Sequence, residues 1–371
     1  MNNPIMDHST PTHTRDLRAL PHTHQRSKFI DYKGRGIYLI TLCTEGRRPL
    51  LGELCGDSPE GAYVRPSALG YAVLRCWRDI PAIQRGIAAQ RSLHLGSTCT
   101  RDIQLLSCQL MPDHFHGIIF VRKDMDIALG RVIRGFMMGC TQAYHELIKS
   151  VSIPTAQQYG PQVGIHTDPL SSIFQPLWEK GFHDRPLSGE GQLQHMIDYV
   201  KNNPRRLWMR RHSAQFFRLH KGVRIGARVF AAKGELALLG RPMHVVHVRR
   251  RFSEEERRDY MNRCIIAARQ GKVLIGAFIS EYEQQVRTVA LAEGHTVIQL
   301  TTDVLTEYYK PYGLLFDACS NGQLLLLSQR EGECGYSHRI TREECNELNK
   351  IAEEIGNEVK CRIIPHAGMV L

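Results

Sequence analysis

The stretch Cys108–Val121 has the sequence CQLMPDHFHGIIFV, with two histidines one residue apart in a largely apolar run. Side chains two positions apart in a β-strand project from the same face, so a strand here predicts that His114 and His116 lie together while Phe115 points the other way. Two imidazoles aimed at one point form a candidate site for a metal ion. Alone, such a pair is more often packed or hydrogen-bonded than metal-bound.

The composition indicates a globular protein with more than one domain. The chain has 371 residues, enough for two hydrophobic cores. No apolar run approaches the roughly 20 residues needed to cross a bilayer, and the N-terminus lacks the hydrophobic core of a signal peptide. The 11 cysteines are odd in number and never spaced as C-x-x-C, which argues against a disulfide framework and a thiolate zinc site. We therefore expect a cytoplasmic protein with no membrane partner.

The net charge of +11 is concentrated in the first part of the chain. Residues 1–240 contain 31 Lys and Arg against 19 Asp and Glu, whereas residues 241–371 contain 17 against 18. The stretch Lys201–Gly234 has ten basic residues and no carboxylate. Such density suits a phosphate backbone, whose bound counterions are released as each charge is neutralised, although a solvated basic face is the alternative. The missing acids favour nucleic acid.

Hydrophobic periodicity predicts an α+β domain with an antiparallel sheet over residues 28–235, after a flexible tail at 1–27. Strands are predicted at IYLITLC, DIQLLSCQLM and HFHGIIFV. A helix in SALGYAVLRCWRDI is expected to end at Pro81, a second to span Leu129–Ser150, and a third, EGQLQHMIDYVKNN, to be closed by Pro204. The buried face of the first of these helices is predicted to consist of Leu69, Val73, Trp77 and Ile80.

The third helix supplies two further candidate site residues. Tyr199 and Asn203 stand four positions apart, which places them on one face of a continuous helix. Near a divalent cation, a tyrosine can serve as a nucleophile and an amide as a third ligand. A packed ring with a solvated hydroxyl is the alternative for Tyr199 on the helix alone.

Residues 241–371 predict a second, α/β domain. Ser253 precedes Glu256 by three positions, which is the pattern of a capping box at a helix start. Strand and helix patterns then alternate, which indicates a parallel sheet. The turn Gly276–Ser280 leads into a helix whose backbone amides could hold a phosphate, although a plain strand-to-helix turn is the more frequent explanation.

Several ordered blocks between about Ser27 and Leu207 resemble the IS200-type transposases. These are the single-tyrosine branch of the HUH endonucleases, and the resemblance is closest to the group associated with repetitive extragenic palindromes (REP). The blocks are YLITLCTEGRRPLLGEL, ALGYAVLRCWRDIP, LLSCQLMPDHFHGIIFV, LGRVIRGFMMGCTQAY, PLWEKGFHDRPL and HMIDYVKNNPRRL.

The resemblance implies a ferredoxin-like HUH domain in which His114 and His116 hold a divalent metal. Tyr199 matches the nucleophile, and Asn203 matches less closely the position of a third, polar ligand. The family implies Mg²⁺ or Mn²⁺, whereas imidazole ligands by themselves favour zinc, copper or nickel. Whether Tyr199 serves its own metal site or that of a partner in a homodimer stays open.

The implied reaction cuts and rejoins single-stranded DNA beside hairpins through a 5′-phosphotyrosine. We expect Lys201, Arg205, Arg206, Arg210 and Arg211 to hold phosphates near the cut. Trp208 is a weaker candidate for base stacking, and His183 and Asp184 are expected in a structural loop. Two alternatives are a catalytically silent DNA-binding regulator and a metal-dependent phosphodiesterase that uses water.

The second domain resembles, less specifically, the Rossmann-like domain of DNA-processing protein A over roughly Val245–Gly356. The segments that carry this resemblance are GAFISEYEQQVRTVALAEGHTVIQL and YYKPYGLLFDACSNGQLLLLS. It implies binding of a nucleotide or of single-stranded DNA. The near-neutral charge of residues 241–371 gives no electrostatic support for a DNA surface, so a protein partner is an equal alternative.

Overall fold

A computed structural model describes residues 31–95, 101–156, 175–249, 251–330 and 340–357 of the chain. It is an α+β protein that divides into two compact units, one ending at Met209 and the other beginning at Arg210. Within the described residues, no helix is both long and apolar enough to cross a membrane. The predicted tail at residues 1–27 lies outside the described part.

The first unit contains a four-stranded antiparallel sheet and a separate two-stranded hairpin. In chain order its elements are β1 (Gly36–Cys43), a 3₁₀ turn (Glu45–Arg47), β2 (Gly52–Cys55), β3 (Tyr63–Pro66), α1 (Ala68–Leu95), β4 (Ile103–Leu110), β5 (His114–Val121), α2 (Leu129–Ala156), β6 (His183–Pro186), α3 (Gln192–Lys201) and α4 (Asn203–His212). The strand order is β4-β5-β1-β6, and β2 pairs with β3. The predicted strands therefore form one sheet with β5 and β1 at its centre.

The two faces of this sheet have different roles. Phe115 on β5 packs against the rings of Trp77 on α1 and Phe136 on α2, within the main hydrophobic core. A Cβ on Gly117 would lie 2.4 Å from the Trp77 ring, so only glycine fits between β5 and α1. The opposite face carries Ile118 and packs against α3. Because side chains alternate along β5, both histidines are directed to the α3 face.

The structure corrects the predicted end of the first helix. Pro81 lies inside α1, which continues to Leu95. The buried stripe that begins with Trp77 and Ile80 continues through Gln84 and Ala88 beyond the proline. Packing of one continuous face offsets the hydrogen bond that Pro81 cannot donate. The second helix also runs past its predicted end, to Ala156.

The third predicted helix is in fact two helices. α3 ends at Lys201, Asn202 is its C-cap residue, and α4 begins at Asn203. Pro204 has no N–H to donate to the carbonyl of Val200, four residues earlier. The side-chain amide Nδ2 of Asn203 donates to that carbonyl instead, at 3.3 Å. Pro204 thus occupies the first turn of a new helix, where its missing N–H costs little.

The second unit is built around a six-stranded mixed sheet with the order β7-β8-β12-β11-β10-β9. Its elements are a 3₁₀ turn (Ala214–Phe217), β7 (His220–Ile225), β8 (Arg228–Gly234), a 3₁₀ turn (Leu236–Gly240), β9 (Met243–Val245), α5 (Glu254–Arg269), β10 (Val273–Gly276), α6 (Glu281–Ala292), β11 (Val297–Leu300), α7 (Leu314–Ser320), β12 (Leu324–Ser328) and α8 (Arg342–Asn357). The Ser253 capping box is confirmed.

The prediction of a parallel sheet is correct for β9 to β12 but not for the whole sheet. β8 pairs antiparallel with β12, and β7 pairs antiparallel with β8. These two strands come from the basic stretch that the sequence assigned to the first domain, since the second unit begins at Arg210 and not at 241. The parallel strands follow one another in chain order, without the strand-order reversal at which Rossmann folds bind dinucleotides.

Candidate active site

The two histidines of β5 lie side by side at the start of the strand. Their ring centroids are 4.8 Å apart and the ring planes are nearly perpendicular, at 84°. His116 is 7% exposed, and the His114 side chain is 16% exposed. The strand therefore presents two largely buried imidazoles on the face that packs against α3.

His114 is oriented by a carboxylate from the residue before it. Its Nδ1 lies 2.6 Å from Oδ1 of Asp113, whose Oδ2 lies 3.1 Å from Nε of Arg47. Burial alone would raise the pKa of Asp113, but the hydrogen bond to His114 and the charges of His114 and Arg47 outweigh it and lower this pKa. An ionised carboxylate only accepts hydrogen bonds, so Nδ1 of His114 carries a proton. In the neutral ring, Nε2 is then the nitrogen that can bind a metal.

His116 has a comparable partner on the neighbouring strand. Its Nδ1 lies 2.8 Å from Oγ1 of Thr41, which is directly opposite it on β1. Burial lowers the pKa of His116 well below its usual 6.5, and the charges of His114 and Arg47 lower it further. The ring is therefore neutral near pH 7. When Nδ1 donates to Thr41, Nε2 of this histidine also has a lone pair for a metal.

Tyr199 of α3 lies next to His116. Its ring centroid is 6.3 Å from that of His116, with the ring planes at 67°. The tyrosine is half-buried against the small cluster that joins α3 to the sheet. The guanidinium carbon of Arg206 lies 5.7 Å from the centre of the Tyr199 ring, in cation–π range. One chain thus brings together both histidines and the predicted nucleophile.

Asn203 is positioned differently from the sequence expectation. The break at Asn202 means that Tyr199 and Asn203 do not share one continuous helix, so the spacing argument does not apply. Nδ2 of Asn203 donates to the Val200 carbonyl. This hydrogen bond uses the amide nitrogen, whereas a metal would bind the amide oxygen. The ligand role of Asn203 therefore stays a prediction.

The donor set fits a divalent cation with nitrogen-rich coordination. Both histidines have partners at Nδ1 and keep Nε2 for the ion, and such outer hydrogen bonds are typical of metal-binding imidazoles. Among the described residues, no group of three or more His, Cys, Asp or Glu side chains is arranged to hold a metal. Further ligands would have to come from an amide such as Asn203, from water or from substrate oxygens.

The predicted phosphate-binding residues occupy α3 and α4. Lys201 and Arg211 are exposed, while Arg205, Arg206 and Arg210 are half-buried. Nε of Arg205 lies 3.6 Å from the Glu60 carboxylate, so a residue outside the acid-free stretch neutralises part of its charge. Arg210 and Arg211 lie in the part of α4 that belongs to the second unit.

Three weaker candidates have clear positions. The indole nitrogen of Trp208 donates to the carbonyl of Gly56 at 3.0 Å, which favours a packing role over base stacking. His183 and Asp184 lie in β6 and not in a loop. His183 is opposite Thr41 in the register, on the same side of the sheet as His116, and is exposed.

In the second unit, the candidate phosphate turn at Gly276–Ser280 is filled by a side chain of the protein itself. Glu283 is 3% exposed, and its Oε2 accepts hydrogen bonds from the amides of Ile279 and Ser280 at 3.0 and 3.2 Å. Its Oε1 accepts from the amide of Val248 at 2.9 Å. The plain-turn interpretation is therefore favoured, because the amides that would hold a phosphate already have an anionic partner.

Sequence reasoning missed the residues that support the histidines. Thr41, Asp113 and Arg47 all contact them directly or through one intermediate. The polar Thr41 in the apolar run IYLITLC and the acid directly before His114 were visible signals. Nothing in the sequence indicated that Arg47, which follows the end of β1, contacts Asp113.

No family model matches the chain. A Haemophilus influenzae (strain Rd) protein with the description "Uncharacterized protein" is 21% identical over 184 residues, which are 49% of this chain and 88% of that protein. A solved structure of a REP-associated tyrosine transposase bound to a REP hairpin is similar over 48% of this chain and 73% of its own, with 14% identity and a TM-score of 0.26.

Proposed function

We propose that this chain is a single-tyrosine HUH endonuclease and strand transferase that acts on single-stranded DNA at hairpins. The observation that carries the proposal is the convergence of His114, His116 and Tyr199 within one chain. The ring centroids of the two histidines are 4.8 Å apart, and that of Tyr199 is 6.3 Å from that of His116. Apart from the β2–β3 hairpin inserted after β1, the elements follow the order strand, helix, strand, strand, helix, strand. This order and the arrangement β4-β5-β1-β6 support the ferredoxin-like form of the fold.

The protein residues would act on a phosphodiester as follows. Oη of Tyr199 attacks phosphorus, a bond between them forms, and the bond from phosphorus to the 3′ oxygen breaks. The phenolic proton is lost and the leaving 3′ oxygen gains a proton. The products are a 5′-phosphotyrosine and a free 3′-hydroxyl. A second 3′-hydroxyl can reverse the reaction and join strands, because the covalent bond keeps the energy of the broken one.

His114 and His116, with Asn203 as the predicted third ligand, would hold a divalent ion, Mg²⁺ or Mn²⁺, which polarises the phosphate when bound. Asp113 fixes the tautomer of His114, and Thr41 can accept from Nδ1 of His116, so that Nε2 of both rings would be available to that ion. Lys201, Arg205, Arg206, Arg210 and Arg211 are proposed to neutralise the DNA backbone. For the second domain we propose a protein-binding or regulatory role, since Glu283 fills the turn that a nucleotide phosphate would need.

The decisive experiment uses single-stranded hairpin oligonucleotides, with sequences taken from any inverted repeats found in the DNA that flanks the gene. One set is labelled at the 5′ end and another at the 3′ end, and both are incubated with protein and Mn²⁺ or Mg²⁺. The expected result is an SDS-resistant adduct that contains only the 3′ label, because a 5′-phosphotyrosine retains the downstream fragment. The 5′-labelled fragment should be released with a 3′-hydroxyl.

Matched variants connect this adduct to the site. Tyr199→Phe should abolish it, while Tyr71→Phe, which removes the hydroxyl of an exposed tyrosine on α1, should not. Continued cleavage by Tyr199→Phe would favour a phosphodiesterase that uses water. Binding of the hairpin without cleavage by the unmodified protein would favour a DNA-binding regulator.

A further inference from the structure

We propose that Arg47 is a catalytic residue whose guanidinium binds the scissile phosphate beside the two histidines. The proposal rests on the proposed function and adds to it a residue that neither the HUH pair nor the basic stretch contains. Three observations carry it: the backbone that holds Arg47, the anchoring of its side chain and the contrast with Arg48.

The backbone at Arg47 has an uncommon conformation. The turn after β1 contains two consecutive left-handed residues, Gly46 with φ 61° and Arg47 with φ 55°. A non-glycine residue in this region is uncommon, and such residues concentrate at functional sites. The turn is held by hydrogen bonds from the Arg47 amide to the Thr44 carbonyl at 2.9 Å and from the Thr44 amide to the Asp113 carbonyl at 3.0 Å.

The side chain is anchored on one edge and accessible on the other. Nε lies 3.1 Å from Oδ2 of Asp113, and Nη1 donates to Sγ of Cys43 at 2.8 Å. Cys43 is directly opposite His114 in the register, so the guanidinium spans the two strands beside that histidine. The Arg47 side chain is 50% exposed, and Nη2 makes no hydrogen bond to any described residue.

The adjacent arginine has a different role. Nε of Arg48 donates to the Glu45 carbonyl at 3.0 Å, and Nη1 donates to Oη of Tyr144 at 3.4 Å. Nη2 of Arg48 donates to the carbonyl of Pro176. Arg48 therefore uses its donors to tie protein segments together, whereas Arg47 keeps donors for a ligand.

An anchored guanidinium suits the charge that develops in the reaction. When Oη of Tyr199 approaches phosphorus, negative charge increases on the non-bridging oxygens until the bond to the 3′ oxygen breaks. A planar guanidinium donates to two such oxygens at once, and donors held in place before the reaction stabilise that charge most effectively. Asp113 and Cys43 provide that fixed placement.

The test measures single-turnover adduct formation by Arg47→Gln on the hairpin oligonucleotide with Mn²⁺. We expect a rate constant lower by about 10²- to 10³-fold, which is typical for the loss of one preorganised donor. Arg47→Lys should recover part of the loss. Arg122→Gln is the matched control, because Arg122 is another half-exposed arginine paired with an aspartate, Asp102, beyond the opposite end of β5. The control should keep the unmodified rate.

Two further measurements separate a catalytic role from a structural one. Arg47→Gln should bind Mn²⁺ with unchanged affinity, whereas a fall in affinity would show that Arg47 only positions Asp113 and His114, and would overturn the proposal. On an oligonucleotide with a neutral methylphosphonate at the nick, the two proteins should react within threefold of each other. The same large difference as on the phosphodiester would also overturn it.

Failure of this proposal is distinguishable from failure of the proposed function. If the unmodified protein forms the adduct and Arg47→Gln forms it within threefold of that rate, only the role of Arg47 is wrong. If the unmodified protein forms no adduct, the proposed function fails and the role of Arg47 fails with it.

Discussion

The ring of Tyr199 lies 6.3 Å from the ring of His116, and both belong to the same copy of the chain. The two residues come from α3 and β5, which pack together through the small cluster that includes Leu39, Ile118 and Val200. Packing within one unit therefore brings the phenol next to His116, which favours a site completed by a single copy of the chain.

This relationship predicts that two inactive variants cannot complement each other. In a mixture of Tyr199→Phe with His116→Ala, every site that contains a tyrosine lacks a histidine and every complete histidine pair lacks the phenol. We expect no adduct from the mixture beyond that of each variant alone, as judged by SDS gel with the 3′-labelled hairpin. Recovery of a substantial fraction of the adduct on mixing would show that the tyrosine acts in a partner's site.

The hydrogen bond from His114 to Asp113 predicts a specific loss of metal affinity. Asp113→Asn keeps the size of the side chain but removes the charge that fixes the His114 tautomer. Loss of such an outer-shell partner typically weakens metal binding by about 10- to 100-fold. Titration with Mn²⁺, followed by calorimetry or electron paramagnetic resonance, measures this directly. Asp57→Asn, an exposed aspartate on the hairpin, should bind Mn²⁺ normally; an equal effect of both variants would refute the role of Asp113.

The carboxylate of Glu283 predicts an anion-dependent phenotype in the second unit. Glu283→Ala leaves the amides of Val248, Ile279 and Ser280 without their acceptor, at a cost of about 2–4 kcal/mol in the free energy of unfolding. Phosphate at tens of millimolar should recover part of this stability in the variant, as measured by its melting temperature. Glu281→Ala, on the exposed side of the same first turn, should respond to phosphate as the unmodified protein does.

His244 on β9 predicts that acid destabilises the second unit. Burial lowers its pKa below 6.5, and Lys272 and Arg263 lower it further. Between that lowered value and 6.5 the unfolded chain binds a proton that the folded chain does not, so stability present above pH 6.5 is lost as the pH falls. The free energy of unfolding changes by at most about 1.4 kcal/mol per pH unit through this group, and partial exposure of the ring makes the change smaller.

The variant His244→Phe isolates this contribution. It removes both the titration and the buried Nε2, which has no hydrogen-bond partner within the described chain. Denaturant unfolding at pH 7.5 and 5.5 should show a smaller loss of stability for this variant than for the unmodified protein. His195→Phe, at an exposed position on α3, is the control. Identical pH dependence of the His244 variant and the unmodified protein would count against the prediction.

The pairing of the histidines followed from the sequence because it depends on a local rule. Alternation along β5 alone predicts that His114 and His116 share a face, and the observed strand runs from His114 to Val121. The buried face of α1 followed in the same way from the spacing of Leu69, Val73 and Trp77, which are all buried. Local periodicity was sufficient in both cases.

Other features depended on contacts that local patterns do not contain. Pro81 is a strong stop signal, yet the apolar stripe on both sides of it packs on one core and keeps α1 intact. The strands β7 and β8 have a sequence rich in basic residues, and their place beside β12 is set by long-range pairing. Arg47 contacts Asp113 because the left-handed turn redirects the chain. The sequence does not predict a left-handed backbone at a residue other than glycine, so this contact could not be foreseen.

Glu283 has one more consequence for the second unit. Its carboxylate belongs to a residue only three positions after Ser280. It therefore competes for the amides of that turn at a high effective concentration, which a dissolved ligand must reach at least the millimolar range to match. A free nucleotide would first have to displace this built-in competitor. The turn is therefore closed to weak anionic ligands by the protein's own chain, and it becomes available to them only when the Glu283 carboxylate leaves it.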